Sequence, residues 1–292
     1  MTGFRFVEDH HQAGYRITDL CRVASVSRSS FYAWRGRGPS AREVANTELA
    51  GEIREIHENS RRTYGAPRVW GQLRRNGRRV GRHRVARLMR TEGLVGAHAR
   101  RRWRKGRHPA MVPAPDLLER DFTAEAPDRR WVADITEFAC LDGKLYLAGI
   151  RDLHDRSLVG WSMGERQTTD LVVAALVMAL GRRRPDGELV HHADHGSSKY
   201  TSVEFTNRLV DWGLVGSYGT VGDCFDNAAM EAFWATLKTE IRHIWGPIER
   251  FTRSEMRTIL FDYIETFYNR TRHQRGLRDR TPAEVYAAAR AA

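Results

Sequence analysis

Three carboxylates stand out in the 292-residue chain by the company they keep. Asp134 sits in the middle of the apolar run WVADITEF (131–138), where Val132, Asp134 and Thr136 share one strand face. A charge placed there is costly unless it is paired, for instance with an arginine, or ligates an ion. Asp194 closes the run ELVHHA within HHADHGSSKYTS, and the ends of strands are where open α/β sheets place their ligands. Glu231 lies in NAAMEAFWATLKTE, in which Met230, Phe233, Trp234, Leu237 and Ile241 recur at helical spacing as a buried stripe. Lys238 follows Glu231 about two turns further along the same side of that helix. Two strand positions and one helix thus supply hard oxygen donors of the kind Mg²⁺ takes. Two such ions bridged by carboxylates are a recurrent solution for phosphodiester chemistry, one activating the attacking oxygen and the other stabilising the leaving one.

Competing chemistries lack their residues. There is no GxSxG elbow, and the HxxR match of His98 and Arg101 sits in a basic stretch without a catalytic tyrosine context. His191 and His192 point to opposite faces of a strand, so a three-histidine site with His195 is not expected. Cys21, Cys140 and Cys224 are too scattered for a disulfide framework or a CxxC zinc site and read as reduced packing residues. Asp226 or Asn227 suits the N-cap of the Glu231 helix, and Asp152 and Asp155 are placed only to assist from a distance. Trp131, Trp161, Trp212 and Trp234 read as core.

The elements that must position these groups follow from the apolar periodicity. Runs at 131–138, 144–152 and 157–163 read as strands, with Asp142-Gly143 as a hairpin signal between the first two. A helix over 168–184, a strand over 188–193, a helix over 203–213, a strand over 214–219 and a helix from about Asn227 complete the order βββαβαβα. That is the order of a ribonuclease-H-like mixed sheet, an α/β fold class.

Upstream the chain is all-α and basic. Lys plus Arg (48) exceed Asp plus Glu (36) by 12 over the whole chain, but residues 1–113 carry 25 against 9 and the remainder 23 against 27. The first part is suited to a polyanion and the second to cations. ITDLCRVA (17–24) and RSSFYAWR (28–35), with Ser27 as N-cap, have helix-turn-helix spacing. A second pair starts at Pro67, breaks at Asn76-Gly77 and resumes as GRHRVARLMRTE before Gly93, with Val85, Leu88 and Met89 left for the core. Arg82, Arg84 and Arg87 on its second helix, and Arg101, Arg102 and Arg104 in RRRWRKGR, are the expected DNA contacts. HPAMVPAP (108–115) reads as an extended spacer. The longest apolar run, LVVAALVMAL, is too short to span a bilayer, and the amino terminus lacks a signal-peptide pattern, so a cytoplasmic location is expected.

These motifs together resemble the OrfB catalytic subunit of insertion-sequence transposases of the IS-three family, whose catalytic domain is similar to retroviral integrases. The matching stretches are YGAPRV, GRHRVARLMRTEGL, WVADITEF, GKLYLAGIRDLHDRSLVGW, HHADHGSSKYTSVEF, GDCFDNAAMEAFWATLKTE and YNRTRHQRGLRDRTPAEVY, spanning residues 64–286. The resemblance implies a triad of Asp134, Asp194 and Glu231 holding two Mg²⁺ or Mn²⁺ ions, with Lys238 as the basic residue that contacts DNA phosphate. It implies metal-dependent cleavage at the element's ends and strand transfer. It also implies duplex DNA as partner, a homo-oligomer on that DNA, an upstream frame contributing a further helix-turn-helix, and a bacterial, nucleoid-associated setting. The 36 residues between Asp194 and Glu231 are one more than usual in the family, the extra one falling in SSK at 197–199. The expected organisation is a first helix-turn-helix region (1–48), a second (49–107), a Pro-rich linker (108–121), the catalytic core (122–245) and a helical extension (246–292). The rivals are a nuclease of the same fold that does not join strands and a helix-turn-helix regulator with an inert core.

Overall fold

The computed structural model describes residues 3–98, 123–193, 199–218 and 228–291. The expected linker at 108–121, Arg101, Arg102, Arg104, Asp194, Cys224 and the expected N-cap at Asp226 or Asn227 lie outside the described residues. The chain divides into two compact units, residues 1–54 and 55–292.

In the first unit, α1 (Gly3–Gln12), α2 (Ile17–Val23) and α3 (Arg28–Arg35) enclose a small core of Val7, Leu20, Cys21 and Phe31. The second and third helices are the expected pair, and Ser27 caps α3 by accepting from the Ser30 amide at 3.0 Å. Helix α1 supplies Val7 to the same core. Helix α4 (Ala41–Asn59) contains the division between the units.

The second unit is built on a five-stranded sheet in the order β3-β2-β1-β4-β5. Strands β1 (Arg130–Cys140), β2 (Gly143–Asp152) and β3 (Leu158–Gly164) form an antiparallel meander. Strands β4 (Val190–Ala193) and β5 (Val215–Tyr218) add in parallel on the other side of β1. This is the mixed sheet that βββαβαβα demands. Helices α7 (Thr169–Arg183) and α8 (Val203–Asp211) pack with Trp131, Ala133, Ala148 and Ile150 on one face. Helix α9 (Ala228–Trp245), α10 (Arg253–Phe261) and a π-helical continuation, Asp262–Tyr268, pack with Val132, Phe138, Leu145 and Leu147 on the other. Helix α11 (Pro282–Arg290) ends the chain's described structure. Three of the four tryptophans expected in the core are buried, but Trp212 is 36% exposed. The reason is local: α8 ends at Asp211, and Gly213, at φ +69°, turns the chain into β5 before the indole can join the stripe of Phe205 and Leu209. Among the described residues, no helix is long and apolar enough to cross a membrane.

The second helix pair, α5 (Ala66–Arg75) and α6 (Arg82–Thr91), belongs to the same compact unit as the sheet. Arg61 donates to both Asp262 oxygens at 2.5 and 3.1 Å, and Arg75 to both Glu284 oxygens at 3.1 and 2.6 Å. The Tyr64 hydroxyl accepts from the His273 amide at 2.6 Å. Beneath them Glu240 of α9 is buried and takes Arg272 through two bonds of 2.8 Å and the Tyr263 hydroxyl at 2.8 Å, with Arg68 of α5 at 3.5 Å. A buried carboxylate is tolerated only with such a complete set of partners.

Candidate active site

Asp134 lies half-buried on β1, opposite Gly149 of β2. The indole of Trp234 reaches across from α9 and donates its N–H to Asp134 Oδ2 at 2.9 Å. Glycine at 149 makes that reach possible, because a Cβ there would stand 2.7 Å from Trp234 Cη2 and 3.0 Å from Leu158 Cδ1. Four residues further along both elements, Lys238 Nζ stands 5.2 Å from the centroid of the Phe138 ring. Helix α9 therefore runs along β1 with residue 234 at 134 and residue 238 at 138. Glu231 is exposed on this helix, one turn or about 4.5 Å of rise before Trp234. Asp194 is outside the described residues; Ala193, which precedes it, ends β4 and pairs with Ala133, which precedes Asp134.

Behind this site Tyr200 is fully buried, and its phenol is pushed well above the usual range by burial and then by the charge of Asp134. It stays neutral in the working range and adds no charge beside the carboxylate. His191 is also fully buried, and burial followed by the neighbouring His192 brings it down to about 3. Its ring packs 5.4 Å from Phe205, whereas His192 Nδ1 lies 2.9 Å from Ser217 Oγ. The two rings diverge, as the strand alternation requires. Among the described residues, no cluster of three or more His, Cys, Asp or Glu could hold a metal.

Asp152 and Asp155 belong to a different, buried cluster. Arg183 Nη2 lies 2.8 Å from Asp155 Oδ2, and Asp152 accepts from the amides of Asp128, His154 and Asp155 and from the Trp131 indole. Burial, then Asp155, pushes Asp152 up to about 6. These bonds tie the start of β1 to the turn after β2.

On α6, Arg82 and Arg87 are exposed and Arg84 is half-buried, while Val85, Leu88 and Met89 are buried as the periodicity predicts. Sequence reasoning treats Trp234 only as core and passes over Gly149. A glycine inside the strand run KLYLAGIRD is a signal of close approach, but the indole that approaches has no signature beyond its helical spacing.

Residues 44–102 match the family model of an HTH-like domain, and residues 124–224 that of an integrase core domain. The chain is 41% identical over 269 residues to an uncharacterized 31 kDa protein of insertion element IS600 from Shigella sonnei, covering 90% of this chain and 96% of that one. It is 38% identical over 272 residues to the transposase InsF for insertion sequence IS3A of Escherichia coli (strain K12), covering 91% and 92%. Among solved structures it is similar to the HTLV-2 integrase catalytic core domain in complex with magnesium in its dimeric form. That match has a TM-score of 0.42 at 14% identity, over 56% of this chain and 98% of that one.

Proposed function

The chain belongs to the IS3-type insertion-sequence transposases with an integrase core, and from that premise we propose that Asp134, Asp194 and Glu231 are its catalytic carboxylates. The activity is cleavage of DNA at the ends of an insertion sequence and joining of the freed 3′-hydroxyl to another phosphodiester by in-line attack. The observation that carries this reading is the fixed relation of α9 to β1: Trp234 on Asp134 and Lys238 beside Phe138, with Glu231 one turn upstream.

The donor set fits a hard divalent cation. Carboxylate oxygens at a strand centre, a strand end and a helix turn are what Mg²⁺ or Mn²⁺ accept, and the indole fixes one Asp134 oxygen, which restricts the plane of the carboxylate. When bound, two such ions would activate the attacking oxygen and neutralise charge on the leaving one. Trp234 orients Asp134, and the ammonium of Lys238 engages a DNA phosphate near the reacting one. Arg82, Arg84 and Arg87 on α6, with Arg101, Arg102 and Arg104 in the basic stretch that follows, hold the duplex. The basic first 113 residues fit a nucleoid-bound protein of the bacterial cytoplasm. Copies of the chain assemble on the DNA, with a further helix-turn-helix supplied from an upstream frame.

The test is a strand-transfer assay on a labelled element end with Mg²⁺. Asp134→Asn, Asp194→Asn and Glu231→Gln should each abolish cleavage and joining together while duplex binding stays near that of the parent. Strand transfer within tenfold of the parent by any of the three would remove that residue from the triad. Nicked but never joined products from the parent would make the protein a nuclease of the same fold.

A further inference from the structure

A cleft of about 260 Å³ opens beside α9, with Ala232, the residue after Glu231, and Thr236 in its wall. Five arginines line it: Arg68 of α5, Arg151 near the end of β2, Arg156 in the turn before β3, and Arg272 and Arg275 between the π-helical segment and α11. Among the described residues, no carboxylate lines it. Glu240, beneath, pairs closely with Arg272 at 2.8 Å and more loosely with Arg68 at 3.5 Å, so that among the described residues one negative charge answers five positive ones.

Four of these five arginines are buried or half-buried, and Arg275 is exposed. Arg151 is buried, donating to the Ala229 carbonyl at 2.8 Å and the Arg156 carbonyl at 3.3 Å. The Arg156 guanidinium sits close against Gly276, where any Cβ would collide with it. Burial and then the Arg151 charge pull Arg156 below the usual arginine range, and burial followed by Arg272 does the same to Arg68. Each of these charges raises the cost of the others. Carbonyl contacts account for Arg151 and Glu240 accounts for Arg272 and, more loosely, Arg68, but neither gives a reason for Arg156 and Arg275 to converge on the same opening.

We propose that this cleft binds a phosphodiester group of the DNA backbone and holds it at a fixed distance from the Glu231 carboxylate. Arginine suits the task, since its planar fork takes two phosphate oxygens at once. The cleft is walled by α5 of the helix-turn-helix, the turn before β3, α9 and the segment before α11. A strand seated there touches the DNA-binding and catalytic elements together. The inference rests on the transposase reading only in taking DNA as the polyanion, and it does not require the metal assignment.

The test uses the full chain carrying Asp134→Asn, so that binding is read without cleavage. Duplexes of the element end, each with one phosphate replaced by a neutral methylphosphonate, are titrated against this protein and against forms further carrying Arg156→Gln or Arg275→Gln. Removing one phosphate contact lowers the salt slope by about 0.9 and the affinity about fivefold near 0.15 M salt. One or two linkages should show that loss in the parent and no further loss in the variants, with Arg275→Lys restoring most of it. Arg275 is exposed, so Arg275→Gln carries the test even if Arg156→Gln fails to fold. Variants that keep the parent's slope, or a methylphosphonate effect undiminished at every linkage, would overturn the phosphate site alone. A parent that bound no duplex would overturn the transposase reading with it.

Discussion

Replacing Trp234 by Phe removes one N–H and leaves an aromatic ring in the core. The lost bond is 2.9 Å long and ends on a half-buried carboxylate. Hydrogen bonds to charged groups contribute about 1.5–3 kcal/mol, and the lower end applies because a half-buried oxygen recovers some water. About 1.5 kcal/mol is slightly more than a tenfold change in the population of correctly oriented Asp134, so single-turnover strand transfer should fall roughly tenfold with duplex affinity unchanged. Gly149→Ala acts on the same indole from the strand below, since its Cβ would stand 2.7 Å from Trp234 Cη2. It should lower the rate by a comparable factor in the parent. Phenylalanine lacks the second ring that bears Cη2, so Gly149→Ala should cost much less in the Trp234→Phe background. The four proteins form a double-mutant cycle with an expected coupling of about 1 kcal/mol. Strand transfer by Trp234→Phe within twofold of the parent, or two effects that simply add, would refute the idea that the indole orients Asp134.

Lys238→Ala should lower strand transfer severalfold without moving its Mg²⁺ dependence, because the ammonium stands over Phe138 and serves phosphate rather than metal; a shifted Mg²⁺ titration would contradict this. Arg82→Ala and Arg87→Ala, both on the exposed face of α6, should each reduce the salt slope of duplex binding by about 0.9 in fluorescence anisotropy titrations, on end and random sequence alike. Glu284 is held down at about 2, first by its hydrogen bond from Arg75, below an ordinary value of 4.5. Its folded pKa is depressed, so the bridge's stabilisation is complete above about pH 4.5 and is lost as pH falls towards 2. Glu284→Gln should therefore cost up to about 1 kcal/mol in urea melts at neutral pH, a modest figure because the bridge is largely solvent-exposed, and the gap from the parent should close in acid.

What was legible beforehand lies in local pattern. The strand and helix order, the Ser27 cap, the stripe from Met230 to Ile241 and the odd placement of Asp134 all show in short windows of sequence. Glu240 goes unremarked in the sequence, although it is a charge set among Leu237 and Ile241 on the apolar side of α9. Its partners have no local signal, because Arg68 and Arg272 are reached only through the fold. The same holds for the indole bond to Asp134, which joins residues 100 apart. Trp212 departs from its expected burial for the opposite reason: its spacing from Leu209 is helical, but the helix stops one residue earlier.

The pairing of Arg61 with Asp262 and of Arg75 with Glu284 spans 201 and 209 residues of chain. A growing polypeptide makes the first member of each pair long before the second. At about 5–20 residues per second, some 10–40 s of synthesis separate them. During that interval α5 exists without the carboxylates that brace it through Arg61 and Arg75, and Tyr64 and Arg68 are without their partners His273 and Glu240. A product cut short by premature termination would carry the basic helices but not their support. The ribosome thus completes the support of α5 last, although it makes that helix early.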